Sequence, residues 1–373
     1  MDFGIMFFSS TAQRAGGNKY ELLIKAAKFA DEHGFCCIWT PERHFHDFGG
    51  LFPNPSLTSA ALAMITSRLQ LRAGSLISPL HDTIRIVEEW AVVDNLSDGR
   101  VAISFGSGWN VDDFIFFPQR YLNRHAEMYA QIETVQQLWG GAEINHKNCL
   151  GKDVTLKLYP EPVQKRLPIW VTSSGNVDTF ISAGSIGANV LTHLIGQDLD
   201  ALDHKIQSYR NARAKNGFEP AAGKVSLMLH TFLGTDVETV KAKVRAPFRE
   251  YLRSAVSLEK KAAMSGGVIS GGHKIEASEI PEDVLEELLD ATFERYFHAA
   301  ALMGTKSSCK QLVWQLKDIG VNEIACLIDF GVNDEDVIQS LTHLDKLRNM
   351  FSAEALASVT REAMSAFMED LDE

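Results

Sequence analysis

Residues 69–108, LQLRAGSLISPLHDTIRIVEEWAVVDNLSDGRVAISFGSG, contain one complete strand–helix–strand unit. The apolar run at 69–77 predicts a buried strand, and the segment at 81–97 predicts a helix. Residues 99–108 predict a second buried strand that ends in glycines. A helix between two buried strands indicates a parallel pair, since the chain must return along the sheet before the second strand begins.

The same alternation runs along the rest of the 373-residue chain. Eight buried strands are predicted, at 3–8, 35–39, 69–77, 99–108, 167–174, 188–195, 224–234 and 322–331. Helices are predicted at 20–34, 54–66, 81–97, 123–138, 178–187, 199–217 and 307–320, and a hairpin-like insertion at 141–166. Eight such units predict an α/β fold of the TIM (β/α)8 barrel type rather than an open doubly wound sheet. The first unit also lacks the GxGxxG pattern of a dinucleotide-binding domain.

One long interruption, residues 235–306, separates the seventh predicted strand from the eighth. The whole chain, 1–373, is therefore predicted to be a single barrel domain with an insertion at the carboxyl end of a strand, where barrel active sites lie. The insertion holds the Gly/Ser-rich piece 265–272 and a helix predicted from Pro281 to about Met303. The glycine-rich piece is interpreted either as a mobile lid or as a flexible surface loop, and the sequence does not separate the two.

The composition excludes some classes of protein. A formal charge of −12 and a pI near 5.5 argue against non-specific binding of nucleic acid. No stretch approaches the ~20 apolar residues of a membrane span, and the N-terminus lacks the pattern of a signal peptide. The five cysteines form no CxxC pair, which is typical of free thiols in a reducing compartment. We therefore expect a cytoplasmic protein that binds neither nucleic acid nor membranes.

Charged residues and histidines follow the second predicted strand in IWTPERHFHDFGG, residues 38–50. Barrel active sites lie where strands end, so this stretch belongs to the rim of the predicted site. His44 here, His81 after the third strand and His193 in the sixth could converge on a metal ion. Metal-dependent barrels also need carboxylates at the strand ends, and these strand ends offer few, so no metal site is predicted.

Two glycine-rich turns follow the fourth and fifth predicted strands at the same rim. TSSGNVDTF, residues 172–180, lies between a strand and a helix, where backbone N–H groups and serine hydroxyls can bind a phosphate. The alternative is a plain helix cap, which Ser174, Asn176 or Asp178 would supply. GSGWN, residues 106–110, favours the phosphate interpretation because it is a second glycine-rich turn at the same rim.

Three separated stretches resemble the luciferase-like flavin monooxygenases. They are IWTPERHF (38–45), GSLISPLHDTIRIVEEWAVVDNLSDGRVAISFGSGW (74–109) and WVTSSGNVDTFISAGSIGANVLTH (170–193), and the resemblance covers nearly the whole chain. The segment AGSIGANVLTHLIGQ (183–197) is similar to a subgroup found in polyketide and nonribosomal peptide pathways. Members of that subgroup occur free or as domains of assembly-line enzymes.

The resemblance implies a TIM barrel that binds FMN, delivered in its reduced form by a separate flavin reductase. Reduced FMN and O2 then give a C4a-peroxyflavin, which oxygenates the substrate. That substrate is expected to be a polyketide or nonribosomal-peptide intermediate, either a small molecule or one bound to an acyl carrier protein. Relatives commonly form homodimers, and a homodimer is expected here. Two alternatives stay open: an F420- or flavin-dependent reductase or dehydrogenase of the same fold, and a non-catalytic flavin-binding or carrier-docking protein.

The resemblance also assigns roles around the reactive part of the flavin. His44 matches a histidine near the reactive edge, and proton transfer or stabilisation of the peroxyflavin is its implied role. Its neighbours Glu42 and Arg43 are expected to support the rim. Trp39 and Trp109 either wall the flavin or substrate cavity or belong to the core.

Further positions are implied to bind the cofactor. Gly74 and Ser75 match the strand end beneath the isoalloxazine ring. Ser107 lies where some relatives carry a phosphate-binding arginine, and Arg124 either compensates for that arginine or faces solvent. The implied phosphate turn comprises Thr172, Ser173, Ser174 and Gly175.

Docking to an acyl carrier protein would need a local basic patch on this acidic chain. The predicted helix at 199–217 offers one candidate, made of Lys205, Arg210, Arg213 and Lys215. A solvated helix face is the alternative interpretation of these four residues.

Overall fold

The structure, a computed structural model, describes residues 1–8, 18–264 and 281–352. Within these residues, eight parallel strands form a closed barrel, which confirms the predicted TIM-barrel fold. The strands in chain order are β1 (Asp2–Met6), β2 (Cys37–Thr40), β3 (Gln70–Ile77), β4 (Val101–Gly106), β5 (Ile144–Lys147), β6 (Asp153–Leu156), β7 (Ile169–Thr172), β8 (Asn189–His193), β9 (Val225–Gly234), β10 (Leu302–Thr305) and β11 (Glu323–Leu327).

The barrel closes through β9, β11, β1, β2, β3, β4, β7 and β8 in that order, and β8 pairs back to β9. The register of β3 against β4 shifts between Gly74 and Leu76, and the peptide bond between Gly74 and Ser75 is cis. This irregularity falls at the strand end implied to lie beneath the flavin ring. β5 and β6 form an antiparallel hairpin, which confirms the insertion predicted at 141–166.

Helices surround the barrel. In chain order they are α1 (Glu21–His33), α2 (Pro55–Ala63), α3 (Thr83–Ser97), α4 (Arg124–Trp139), α5 (Val177–Ser185), α6 (Leu199–Lys215), α7 (Val237–Met264), α8 (Glu282–Arg295), α9 (Lys306–Asp318) and α10 (Asp334–Asn349). The predicted helices coincide with α1 to α6 and α9 to within a few residues at their ends. None of the helices in the described ranges is long and apolar enough to cross a membrane.

The end of the insertion differs from its prediction. α8 stops at Arg295, a π-helical turn follows at Tyr296–Ala300, and β10 begins at Leu302. The helix predicted to reach Met303 is therefore too long. β10 pairs with the carboxyl end of β9, and its four residues are too few for their pattern to distinguish a strand from a helix. The Gly/Ser-rich piece 265–272, predicted as a lid or a loop, lies outside the described residues.

α7 and α8 run antiparallel and are joined by a charge ladder. One face of α7 carries a cation at every fourth position, and one face of α8 carries an acid at the same spacing. These two faces lie against each other, so each of these cations contacts an acid of α8. The contacts within 3.1 Å include Lys241–Glu294, Arg245–Asp290, Arg249–Asp290 and Arg253–Glu282. These groups are partly exposed, so each pair contributes about 1 kcal/mol or less. The ladder orients a helix pair that carries aromatic side chains over the barrel mouth.

A buried ion pair lies inside the barrel. Arg72 Nη1 donates to both carboxylate oxygens of Glu323 at 2.9 Å, and its guanidinium packs between the rings of Trp39 and Trp170. Trp39 is fully buried and donates to Glu323 at 3.3 Å, so it belongs to the core and not to a flavin wall. Trp109 also packs against the core, from a half-buried position.

Two cysteine thiols also approach Glu323. Cys36, Cys37 and Glu323 place ligand-type atoms within 4.8 Å of one another, a grouping of the kind that can bind a metal ion. However, the carboxylate already accepts from Arg72, and the hydrogen bond to Cys37 together with burial raises the pKa of the Cys36 thiol well above its usual range. Thiols that keep their protons are poor metal ligands. We assign this cluster a structural role.

Candidate active site

Glu42 is the centre of a hydrogen-bonded cluster just beyond β2. Its Oε1 accepts from His44 Nε2 at 3.0 Å and from His81 Nε2 at 2.6 Å. Its Oε2 accepts from the N–H of Ile77, the last residue of β3, at 2.7 Å. The predicted rim-support role understates Glu42, because this buried carboxylate joins the ends of two neighbouring strands and holds two histidines.

The cluster keeps Glu42 ionised. Burial opposes ionisation, but hydrogen bonds from the two histidines and from Ile77 outweigh it and lower the pKa of the carboxyl group. Burial also disfavours the charged form of His81, but the Glu42 carboxylate outweighs it and raises the pKa of that imidazole. Because a carboxylate can only accept, both rings donate through Nε2, and Nδ1 is the nitrogen left for another group.

Asp113 brings a second carboxylate near His44. It lies in the short 3-10 helix Val111–Phe116 that follows β4, and Asn110 Nδ2 donates to its Oδ1 at 2.7 Å. Burial raises the pKa of Asp113 to about 6, against the lowering effect of His44 and Arg43. The few acids at these strand ends therefore include Glu42 and Asp113, which both lie beside His44.

The three histidines predicted as candidate metal ligands do not meet. His81 joins His44 at Glu42, whereas His193 lies at the end of β8 near Lys205. Burial and the charge of Lys205 lower the pKa of His193 to about 4. The histidines from β2 and β3 therefore form one cluster with a carboxylate, and the histidine from β8 belongs to another part of the rim.

A row of hydroxyl groups forms the floor beside this cluster. Thr172 Oγ1 lies 2.5 Å from Ser75 Oγ and 2.7 Å from Ser104 Oγ, so the ends of β3, β4 and β7 are joined by hydrogen bonds. Gly74 packs directly against Trp39, since a Cβ at this position would lie 2.9 Å from that ring. The floor implied to underlie the flavin ring therefore brings Gly74, Ser75 and Thr172 together.

The turn at 173–176 leads from β7 into α5. Ser173 is buried, and its Oγ donates to Asn176 O and accepts from Gly175 N–H, both at 3.3 Å. Asn176 caps α5 by accepting from the N–H of Asp178 at 2.8 Å. Ser173 and Asn176 therefore shape the turn, and the exposed Ser174 is the hydroxyl that remains open to a ligand.

Lys205 lies against the same turn, although it comes from α6. A Cβ at Gly175, where φ is 105°, would meet Lys205 Nζ at 3.6 Å as its nearest neighbour. The amine donates to Gln197 Oε1 at 2.7 Å, and Gln197 in turn bonds to the carbonyl of His193. A cation therefore faces the N-terminus of α5. No sequence motif indicates this contact, since the sequence shows Lys205 only as one of several charged residues on an amphipathic helix.

Ser107 and Arg124 meet at the other glycine-rich turn. Arg124 Nε donates to Gly108 O at 2.8 Å, and Nη1 donates to Tyr121 O at 3.0 Å. Arg124 is half-buried, so it is neither a fully solvent-facing cation nor a buried one. Its bonds to main-chain carbonyls close the turn at 106–108 and leave Ser107 half-buried beside it.

The basic patch predicted on α6 does not exist as a free surface. Arg213 is buried and donates to Ala188 O at 3.2 Å, and Arg210 donates to Pro220 O at 2.6 Å. Lys205 faces the turn at Gly175. Of the four cations, Lys215 at the exposed end of α6 is the one that faces solvent.

The model of the luciferase-like monooxygenases matches residues 1–323. This span covers most of the chain and contains the histidine cluster, the hydroxyl floor and both glycine-rich turns. The chain belongs to the luciferase-like monooxygenase family. The resemblance drawn from three stretches of sequence is thereby confirmed at the level of the family.

Relatives and solved structures support this assignment of the luciferase-like chain. The oxygenase component of the flavin-dependent trigonelline monooxygenase of Acinetobacter baylyi is 25% identical over 229 residues, 59% of this chain and 61% of that protein. The oxygenating constituent of 3,6-diketocamphane monooxygenase of Pseudomonas putida, solved in complex with FMN, has a TM-score of 0.72 at 18% identity and covers 93% of this chain and 97% of its own. An F420-dependent secondary alcohol dehydrogenase has a TM-score of 0.66 at 14% identity, with 91% and 96% covered. The two structures establish the shared fold.

The residues of this luciferase-like monooxygenase fit a flavin mononucleotide. The turn at Ser174 and Gly175 opens toward the Lys205 amine and the first turn of α5, which together suit a phosphate dianion. Gly74 leaves the floor without a side chain, as the flat face of a ring requires.

Proposed function

We propose that this enzyme is a two-component monooxygenase that takes reduced FMN from a separate reductase and inserts one oxygen atom from O2 into its substrate. The observation that carries the proposal is the Glu42–His44–His81 cluster, which lies at the strand ends beside the hydroxyl floor and the phosphate turn. Bound reduced FMN would supply the electrons and the site of reaction with O2. The residues below then account for binding and proton transfer.

Cofactor binding is assigned to two groups of residues. Ser174, Gly175 and Lys205 hold the phosphate, with the N-terminal turn of α5 adding backbone donors. Gly74 and Ser75 lie beneath the ring, and Thr172 positions Ser75 through their hydrogen bond. Ser107 and Arg124 shape the neighbouring turn.

Proton transfer is assigned to His44. Glu42 holds its Nε2–H, so Nδ1 is the nitrogen that gives or takes a proton at the reacting centre. Phe45 and Phe116 lie 5.6 Å and 5.1 Å from the His44 ring, measured between ring centroids. These two rings also pack on each other at 5.7 Å and restrict the approach of water to His44.

The proposals for the substrate, the partners and the oligomeric state rest on the resemblance to the natural-product subgroup of the family. We propose a polyketide or nonribosomal-peptide intermediate, free or bound to an acyl carrier protein, because the segment at 183–197 resembles that subgroup. This segment also builds the Gln197 side of the phosphate turn. We further propose a cytoplasmic homodimer with no metal ion and with the insertion at 235–306 as part of the single domain, its Gly/Ser-rich piece acting as a lid.

The test supplies the purified enzyme with photoreduced FMN, isotopically labelled O2 and a panel of acyl-carrier-bound acids. The expected result is a product that contains one labelled oxygen atom, together with loss of that product in His44→Ala while FMN affinity is retained. Label from water instead of O2, or retained product formation in His44→Ala, would sink the assignment.

An F420-dependent reductase or dehydrogenase is the second candidate, because such an enzyme shares this fold. The same assay, repeated with reduced F420 in place of FMN, separates the monooxygenase from the F420-dependent enzyme. Tight binding of F420 with hydride transfer and no oxygen incorporation would support the second candidate. Tight FMN binding with neither reaction would support a non-catalytic flavin-binding protein.

A further inference from the structure

We propose that Arg43, Tyr251 and His230 form a subsite for a planar oxyanion, such as a carboxylate, carried by an apolar substrate. This subsite lies beside the catalytic cluster and names a chemical class for the substrate. It rests on the proposed function only in taking the barrel mouth as the substrate site.

The Arg43 guanidinium lies among aromatic rings, and Asp113 acts on its charge without forming an ion pair within 4.0 Å. Its Cζ is 3.9 Å from the centroid of Phe8 and 5.5 Å from that of Phe48. Across residues 1–8, 18–264 and 281–352, its side chain has no hydrogen-bond acceptor and no carboxylate within 4.0 Å. Arg72, the buried arginine inside the barrel, is instead fully paired with Glu323. Arg43 is half-buried, and a partly desolvated cation with no close counter-charge is costly, so a ligand anion accounts for its position better than packing does.

The loop after β2 is built to hold Arg43 in this place. The N–H of Arg43 donates to Phe52 O at 2.9 Å, which closes the loop from 43 to 52 on itself. Gly49 packs on the side chain, since a Cβ there would lie 2.6 Å from Arg43 Cδ. Its φ of 84° also favours glycine. The loop that contains HDFGG therefore packs on the aliphatic part of the Arg43 side chain, while the guanidinium forms no ion pair with any described residue.

Two further polar groups face the same aromatic surroundings. Tyr251, from α7, packs on Phe48 at 5.0 Å and on the His230 ring at 4.9 Å. His230, from β9, is buried, and its Nε2 has no hydrogen-bond partner. Within the described residues the Tyr251 hydroxyl makes no hydrogen bond either. The ring of Phe48 contacts both Tyr251 and the Arg43 guanidinium, so the three polar groups are linked through one set of aromatic contacts.

The charge balance favours a single anion. Burial lowers the pKa of His230 to about 3, so this ring is neutral, and the Tyr251 phenol keeps its proton because burial raises its pKa. Two carboxylates lie nearby, but Asp329 Oδ1 accepts from Phe8 N–H at 2.9 Å and Asp113 bonds to Asn110. Arg43 thus supplies the one cation of the subsite, and the phenol and imidazole supply neutral hydrogen bonds.

The guanidinium selects the shape of the anion. Its planar fork matches a carboxylate with two parallel hydrogen bonds. The rings of Phe8, Phe48 and Tyr251 then favour an apolar body attached to that group. A neutral isostere would leave Arg43 without its counter-charge, so it should bind more weakly by about tenfold or more.

Paired probes that differ only in charge test the proposal. Binding of 4-phenylbutanoate and of 4-phenylbutanamide is measured by titration calorimetry on the full chain without FMN. The variants are Arg43→Met, Arg43→Lys, Tyr251→Phe and the exposed control Arg85→Met, each first checked for folding by circular dichroism. FMN affinity is measured separately for every variant.

We expect the wild-type enzyme and Arg85→Met to bind the carboxylate at least about tenfold more tightly than the amide. Arg43→Met should lose this preference, Arg43→Lys should keep part of it, and Tyr251→Phe should weaken the carboxylate several-fold. Equal affinity for the two probes in the wild-type enzyme, or an unchanged preference in Arg43→Met, would overturn the proposal. No carboxylate binding up to about 10 mM would do the same. Weaker FMN binding in Arg43→Met would instead place Arg43 against the flavin, whereas weak FMN binding by every protein would count against the proposed function alone.

Discussion

At the residue scale, Glu42 connects two histidines that come from neighbouring strand ends. Glu42→Gln keeps the shape of the side chain but removes its charge. Since that charge raises the pKa of His81, the variant should have a lower His81 pKa. It should also lose the fixed Nε2–H tautomer of His44, and product formation should fall by about 100-fold. Histidine titration by NMR and single-turnover assays measure the two effects.

If Glu42 had only a structural role, Glu42→Gln would change activity and the His81 pKa in a different way. Lower activity with an unchanged His81 titration would contradict the proposed hydrogen-bond cluster. Asp113→Asn is the matched control, because it removes the other nearby carboxylate without touching the bonds to His81. We expect Asp113→Asn to leave the His81 pKa much closer to that of the wild-type enzyme.

Lys205 is the second residue with a measurable role. Lys205→Met should weaken FMN binding by about tenfold or more, because it removes a charge-assisted hydrogen bond to the phosphate. Riboflavin lacks the phosphate, so its affinity should not change. Burial lowers the pKa of Lys205, and FMN affinity should therefore start to fall at a lower pH than an ordinary lysine would allow.

Fluorescence titration with FMN and riboflavin tests this prediction. Lys215→Met, on the exposed end of the same helix, is the matched control and should bind both ligands normally. An equal loss of FMN and riboflavin affinity in Lys205→Met would mean that the lysine shapes the fold rather than binds the phosphate.

Sequence reasoning located part of this site. The resemblance placed His44, Gly74 and Ser75 at strand ends, and the structure brings His44 into the histidine cluster and the other two into the hydroxyl floor. It could not show that Glu42 accepts from His81, since that contact joins residues 39 positions apart through loop conformation. Lys205 was missed for a similar reason, because its partner turn comes from a different strand–helix unit.

At the element scale, the charge ladder joins α8 to α7, the helix that carries Tyr251 over the mouth of the barrel. Arg249 also pairs with Glu286 in this ladder. Arg249→Gln and Glu286→Gln should each destabilise the protein, and the double variant should cost less than the sum of the two. Both side chains are partly exposed and screened by solvent, so we expect a small but measurable coupling energy. Urea unfolding of the four proteins in the cycle gives this value.

Salt provides the check on that coupling. The coupling energy should shrink toward zero at about 1 M salt, where the Debye length falls to about 3 Å. The exposed pair Arg85–Glu89 within α3 is the control and should show a smaller coupling at low salt. A coupling that persists at high salt would mean that packing, not charge, joins α7 to α8.

The helices and strands also show which sequence signals led to a correct prediction and which were too weak. Long periodic helices such as α1 and α6 were predicted within a few residues because their apolar faces span several turns. The first two residues of β10 were assigned to a helix because a strand of four residues is too short to show a readable period. α10 was not predicted, although Asn333 caps it and three acids fill its first turn, so the signal was present in the capping chemistry.

At the scale of the whole molecule, the barrel holds the buried His230 and the half-buried His193 in their neutral form. The pKa is lowered to about 3 for His230 and to about 4 for His193. In the unfolded chain both rings return to an ordinary value near 6.5. Between these values the unfolded chain binds protons that the folded barrel does not. Their contribution to stability is therefore present above about pH 6.5 and is lost as the pH falls toward the folded pKa values.

His230→Phe tests this linkage. Each such histidine should remove about 1.4 kcal/mol of the free energy of unfolding for each pH unit below about 6.5. The variant should therefore lose less stability than the wild-type protein between pH 6.5 and pH 5, by about 2 kcal/mol, whatever its stability at neutral pH. Urea unfolding at several pH values measures the slope for the variant and for the wild-type protein. A His230→Phe slope equal to that of the wild type would show that this ring gains its proton within the folded barrel, and the region around Arg43 would then carry a second cation at acidic pH.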